Sequence, residues 1–156
     1  EGAFQEETAV RIPMKVDYGV RALIDLAQRA EEGRPVRTVD IAGRQGIPGP
    51  YLDQVLTTLN KFGFVRSRRG PQGGHVLARP AKDIILDDVV STLEGRNAPL
   101  DCLDDASECA LAENCAQQGI WRDVEEAIHA VLTTTTIGDL ASRQKGSVEP
   151  IAVNGR

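Results

Sequence analysis

The sequence predicts a mainly α chain with a small β-hairpin wing, arranged as a winged helix-turn-helix plus a long dimerisation helix. Three observations predict it. Between Pro48 and Gly63, residues Leu52, Val55, Leu56 and Leu59 recur at helical spacing, which makes one face apolar and leaves Tyr51, Gln54, Thr57, Thr58 and Lys61 on the other. Directly afterwards, Val65, Val76 and Leu77 flank a tip of Arg, Gly, Pro and Gln, the pattern of two short strands joined by a turn. Further on, Ile120, Val124, Ala127 and Val131 form one apolar row, with Trp121, Ile128 and Leu132 in a second beside it. That face is wider than one small domain covers, and a symmetric partner helix is its simplest cover.

Each element follows in order. Residues 1–13 show no clear period and precede Met14, so they read as a flexible extension or tag remnant. From Met14 to Ala30, Val16, Val20, Leu23 and Ala27 make a helical stripe that Ile24 widens, and Gly33 and Pro35 end it. Thr38 is a candidate N-cap for a short helix through Ile41 and Ala42, which Gly46 breaks before Pro48 opens the next. Two helices joined by a tight Gly-Ile-Pro turn read as helix-turn-helix, whose second helix enters the major groove. Residues 14–82 are therefore expected to form a winged helix-turn-helix DNA-binding domain. Over 83–94, Ile85, Leu86, Val89, Val90 and Leu93 predict a helix packed on the DNA-binding half. Residues 96–116 hold all three cysteines among acidic and small residues and read as a loop that something must order. This loop and the helix over 117–134 occupy the segment 83–142. Thr136 with Asp139 resembles a capping box for a last short turn, and residues 143–156 read as a disordered tail.

The net charge of -5 conceals a separation. Residues 14–82 carry 12 Lys/Arg against 6 Asp/Glu, whereas 83–142 carry 2 Arg against 13 Asp/Glu. The basic half can face a polyanion while the acidic half faces away. No apolar run approaches the ~18 residues of a membrane span, and a soluble cytoplasmic protein without membrane partners is expected. An enzyme is not: thiol redox chemistry needs a paired cysteine or an adjacent base, yet no Cys-x2-Cys occurs and the chain has 2 histidines.

Cys102, Cys109 and Cys115 form a Cys-x6-Cys-x5-Cys pattern. An odd number cannot all pair within the chain, and three thiolates in one loop suit a soft metal centre or leave free thiols. Tyr51-Leu52-x-Gln54, the wing Gly63-x-Val65-x-Ser67-x-Arg69-Gly70-Pro71-x-Gly73-Gly74 and the three cysteines together resemble the IscR/NsrR/RirA regulators, the Rrf-two family, from Met14 to about Leu140. The resemblance implies a homodimeric winged-helix regulator of transcription, expected to be a repressor. Its three cysteines would ligate an iron-sulfur cluster and couple nitric oxide, redox or iron status to binding of a double-stranded DNA operator. The alternative is a regulator of the same class sensing through free thiols or zinc.

The same resemblance implies individual roles. In [2Fe-2S] members a histidine follows the third cysteine by three residues, where this chain has Gln118; in [4Fe-4S] members an aspartate on the first helix, from the partner subunit, completes the cluster, and Asp17 matches it. A [4Fe-4S] cluster is therefore favoured over [2Fe-2S], with Cys102, Cys109, Cys115 and Asp17 as ligands. Pro50, Asp53 and Gln54 fall at base-reading positions, and Arg69 at the wing position that enters the minor groove. Chemically, the Gln54 amide suits an adenine edge and the Asp53 carboxylate a cytosine amino group. Lys61, Arg66 and Arg68 suit phosphates. Tyr51, Gly73 and Gly74 complete the expected DNA-binding set.

Overall fold

The computed structural model describes residues 12–94 and 116–145. It shows a mainly α protein with a single two-stranded hairpin among the described residues, as the sequence predicts. Cys102, Cys109 and Cys115 lie outside the described residues.

Helix α1 (Met14–Gln28) runs through the centre of the fold. Its apolar stripe, Val16, Leu23, Ile24 and Leu26, is buried against α2 (Thr38–Gln45) and α3 (Gly49–Lys61). Helix α4 (Leu86–Glu94) packs on the same helix through Val89 and Leu93, as its sequence pattern predicts. In α3 the four residues picked out by spacing, Leu52, Val55, Leu56 and Leu59, are all buried. Each such side chain contributes about 1.5–3 kcal/mol of transfer free energy.

The start of α2 differs from expectation. Thr38 is the first helical residue, Arg37 occupies the cap, and no side chain caps the helix. Thr38 does not cap because its hydroxyl lies 2.9 Å from the His75 ring, a partner supplied by the distant hairpin. Arg37 instead reaches forward and donates to the Asp40 carboxylate at 3.0 and 3.3 Å.

Helix α3 ends on Gly63, whose φ of 81° suits a residue without a Cβ. There Gly63 N donates to Asn60 O at 3.2 Å and Phe64 N to Leu59 O at 2.9 Å, the paired bonds of a Schellman motif. The turn leads straight into β1 (Val65–Arg68), which pairs antiparallel with β2 (Gly74–Leu77).

Helix α5 (Gln118–Thr134) lies against α4 with no residue fully buried. Ile120 is 61% exposed and Val131 64%, with Trp121 and Ile128 also exposed. Helix α6 (Ile137–Lys145) then returns to α1 and buries Ile137 and Ala141 in the main core. The expected capping box is present: Asp139 N donates to Thr136 Oγ1 at 3.1 Å, and Thr136 N donates to the Asp139 carboxylate at 2.9 Å. Helix α6 extends through Lys145, past residue 142, where the sequence pattern ends. A short bridge pairs Ile85 with Thr136 at the foot of α4, joining the two ends of the segment that contains α5.

Candidate nucleic-acid interface

Burial of one face of α3 leaves Pro50, Tyr51, Asp53, Gln54, Thr57 and Lys61 exposed on the other. Thr57 and Thr58 donate their hydroxyl protons to the backbone carbonyls of Asp53 and Gln54 at 2.7 and 3.1 Å. Among the described residues no hydrogen bond or ion pair occupies the side chain of Asp53 or Gln54. An unoccupied carboxylate and amide on a solvent-facing helix are what base-edge readout requires. Tyr51 turns towards α1, where its ring meets Tyr18 at 6.5 Å between centroids. Lys61 lies 5.6 Å above the Phe62 ring, so its ammonium stays at the surface near the helix end.

The wing stands beside this helix. Arg66 and Arg68 are exposed on β1, and Arg69 follows at the tip, also exposed. Strand alternation puts Arg66 and Arg68 on one side and Ser67 on the other, facing His75 across the register. Gly73 and Gly74, expected among the DNA contacts, have a packing role in the structure. A Cβ on Gly73 would overlap the Arg68 carbonyl, and one on Gly74 would fall 2.5 Å from Val36 O.

Behind the wing, His75 is hydrogen-bonded to two hydroxyls, Ser67 Oγ at Nδ1 and Thr38 Oγ1 at Nε2, both at 2.9 Å. Burial pushes its pKa down, while the Asp53 charge acts weakly the other way, so the neutral ring is favoured. A cleft between the wing and α2 is lined by Arg34, Arg37, Asp40, Gln72 and Gly73. The Arg37 guanidinium holds the exposed Asp40 carboxyl below the usual range. The sequence places His75 on the wing without giving it a role and assigns none to Arg37; the Arg37-x-x-Asp40 spacing is a local signal for Arg37, and nothing local marks the contacts of His75.

Asp17, the expected carboxylate ligand, sits in the first turn of α1, half exposed, with its oxygens 2.8 and 3.0 Å from the Arg21 guanidinium. Arg21 in turn donates to Gln45 O at 3.1 Å. Gln118 opens α5. Among the described residues no group of three His, Cys, Asp or Glu could hold a metal ion. The three cysteines of the expected ligand set lie outside those residues.

A helix-turn-helix with an exposed reading face and an arginine-bearing wing defines a winged-helix transcription regulator. The chain belongs to the Rrf2 family, described as iron-dependent transcriptional regulators, whose model matches residues 12–143. It is 37% identical over 131 residues to the protein rrf2 of Nitratidesulfovibrio vulgaris, covering 84% of this chain and 87% of that one. The solved structure of T. potens IscR aligns with TM-score 0.72 and 34% identity, over 90% of this chain and 93% of that one. The structure of CymR, the global cysteine regulator of B. subtilis, aligns with TM-score 0.71 and 32% identity, over 86% and 98%. Family membership makes the chain a regulator of transcription and not an enzyme. No helix among the described residues is long and apolar enough to cross a membrane.

Proposed function

We propose that the chain represses transcription as a cytoplasmic homodimer that reads a double-stranded operator with α3 and the wing, and that an iron-sulfur cluster reports nitric oxide, redox or iron status to it. The observation that carries the DNA reading is the unoccupied polar face of α3 beside the exposed arginines of β1. Gln54 and Asp53 read base edges, with Pro50 and Tyr51 in the first turn setting their approach. Arg69 enters the minor groove, and Lys61, Arg66 and Arg68 bind phosphates. Gly73 and Gly74 keep the tip thin enough for close backbone approach. Fluorescence anisotropy on a duplex selected from a random pool tests this: Arg66→Ala should reduce the slope of log affinity against log salt by about 1. Affinity indifferent to salt would refute the interface.

The donor set fits the cluster. Three thiolates from Cys102, Cys109 and Cys115 are soft ligands suited to iron-sulfur centres, and Asp17 of the partner subunit supplies a harder, more weakly held oxygen. When bound, the cluster supplies an iron centre reactive to nitric oxide and oxygen. Asp17 is accessible at the start of α1, where each carboxylate oxygen carries one contact from Arg21 and keeps a lone pair free for a metal. Gln118 offers an amide where a [2Fe-2S] site needs an imidazole, so [4Fe-4S] is favoured. Anaerobic purification with iron and sulfide analysis should yield a brown protein bleached by nitric oxide, and Asp17→Ala should weaken retention of iron. A protein colourless after reconstitution would instead support a thiol or zinc regulator. That second reading is supported by the similarity to CymR, the global cysteine regulator of B. subtilis.

A further inference from the structure

We propose that His75 is a positioning residue that fixes the roll of the wing against the helix-turn-helix, and so determines how Arg69 and its neighbours meet DNA. This rests on the wing contacts proposed above. The ring joins three segments. Nδ1 is 2.9 Å from Ser67 Oγ in β1, and Nε2 is 2.9 Å from Thr38 Oγ1 at the start of α2. The His75 backbone also donates to Val36 O at 2.8 Å and accepts from Val36 N at 2.9 Å, in the segment entering α2. Gly74 allows this approach, since a Cβ there would meet the Val36 backbone.

The consequence follows from strand alternation. Ser67 and His75 are register partners and share one side of the hairpin, while Arg66 and Arg68 occupy the other. Holding the Ser67/His75 side against Thr38 turns the arginine side outwards. A two-stranded hairpin is only marginally stable alone, so its direction has to come from such outside contacts. The neutral ring donates through one nitrogen and accepts through the other, which makes the pair of hydroxyl contacts directional.

The test is a double-mutant cycle on the full chain, with affinity measured on the pool-selected duplex and folding checked by thermal unfolding. His75→Ala should weaken binding by about tenfold, the scale of one well-made polar contact. In that background Arg69→Ala should cost less than about twofold, although alone it costs much more. His75→Gln, whose amide reaches towards Thr38, should restore affinity; His75→Asn, which reaches only Ser67, should not. Thr38→Val removes the hydroxyl alone and should reproduce the His75→Ala loss even where His75→Ala fails to fold. A full Arg69→Ala penalty in the His75→Ala protein, or equal behaviour of the Gln and Asn variants, would overturn the proposal while leaving the wing contacts standing. If Arg69→Ala alone leaves affinity unchanged, the minor-groove contact proposed for Arg69 fails, and with it the claim that His75 sets how Arg69 meets DNA.

Discussion

Asp25 shows how single residues orient the reading head. It is 1% exposed, yet its carboxylate accepts from Arg44 Nε and Nη2 at 2.9 and 2.8 Å and from Gln45 Nε2 at 3.1 Å. A buried carboxylate on α1 thus fixes the end of α2, the first helix of the DNA-reading pair. Asp25→Ala removes three hydrogen bonds and leaves Arg44, which reaches solvent, to rehydrate, so it should destabilise the fold by about 1–3 kcal/mol in denaturant unfolding. A loss below about 1 kcal/mol would show that Arg44 finds solvent without cost. Gln54 belongs to the opposite category, exposed and without a bonded partner among the described residues. Gln54→Ala should leave stability unchanged and reduce discrimination between selected and random duplex by about 1–3 kcal/mol. Uniform weakening on both duplexes would move Gln54 from base reading to backbone contact. Exposed polar residues on α3 were legible in the sequence because their buried neighbours have helical spacing. Asp25 was not, since its hydrogen-bond partners lie a helix away and its one local partner, Arg29 at 4.0 Å, is an i,i+4 pairing like that of any solvated acid.

Among the elements, α6 has the clearest local code. The Asp139 carboxyl is held below the usual range by the Thr136 N–H and hydroxyl. A carboxylate with a lowered folded pKa contributes stability above its unfolded value, and that stability fades as pH falls through the folded one. Thermal unfolding of the parent should therefore lose this contribution on acidification, and Asp139→Ala should show a smaller acid-dependent drop. Parallel pH profiles would mean that the cap contributes nothing. The Thr136–Asp139 box could be read from sequence because all its partners are within one turn. The same reasoning failed at Thr38, where a ring from β2 competes for the hydroxyl. Helices α1, α3 and α5 were legible because each repeats an apolar stripe over several turns. In α3, Leu56 is 2% exposed, and Leu56→Ala should cost about 2–5 kcal/mol.

At the scale of the molecule, the apolar side of α5 remains open in the monomer, with Ile120 and Val131 more than half exposed. Covered by a second copy, it would bring two reading helices onto one duplex. Ile120→Glu with Val131→Glu should give a monomer in sedimentation, with affinity lowered by about 100-fold or more as the second half-site contact is lost. A dimer surviving both charges would place the interface elsewhere. One tie between α5 and the core is polar: His129 Nδ1 lies 3.1 Å from the Asp87 carboxylate on α4. The pairing of Ile85 with Thr136 gives the whole arrangement a particular plan. Leu86 N donates to Thr135 O, and Ile137 N to Ile84 O, each at 2.9 Å, so the chain departs from the DNA-binding core and re-enters it at one knot. Between these two bonds the chain runs out along α4, which stays packed on α1, and comes back along α5, a detour closed at its base. Because the entropy of closing a loop rises slowly with its length, residues can be added to or removed from the detour at small thermodynamic cost. A lineage with this plan can exchange one chemical sense for another while inheriting its DNA reader unchanged.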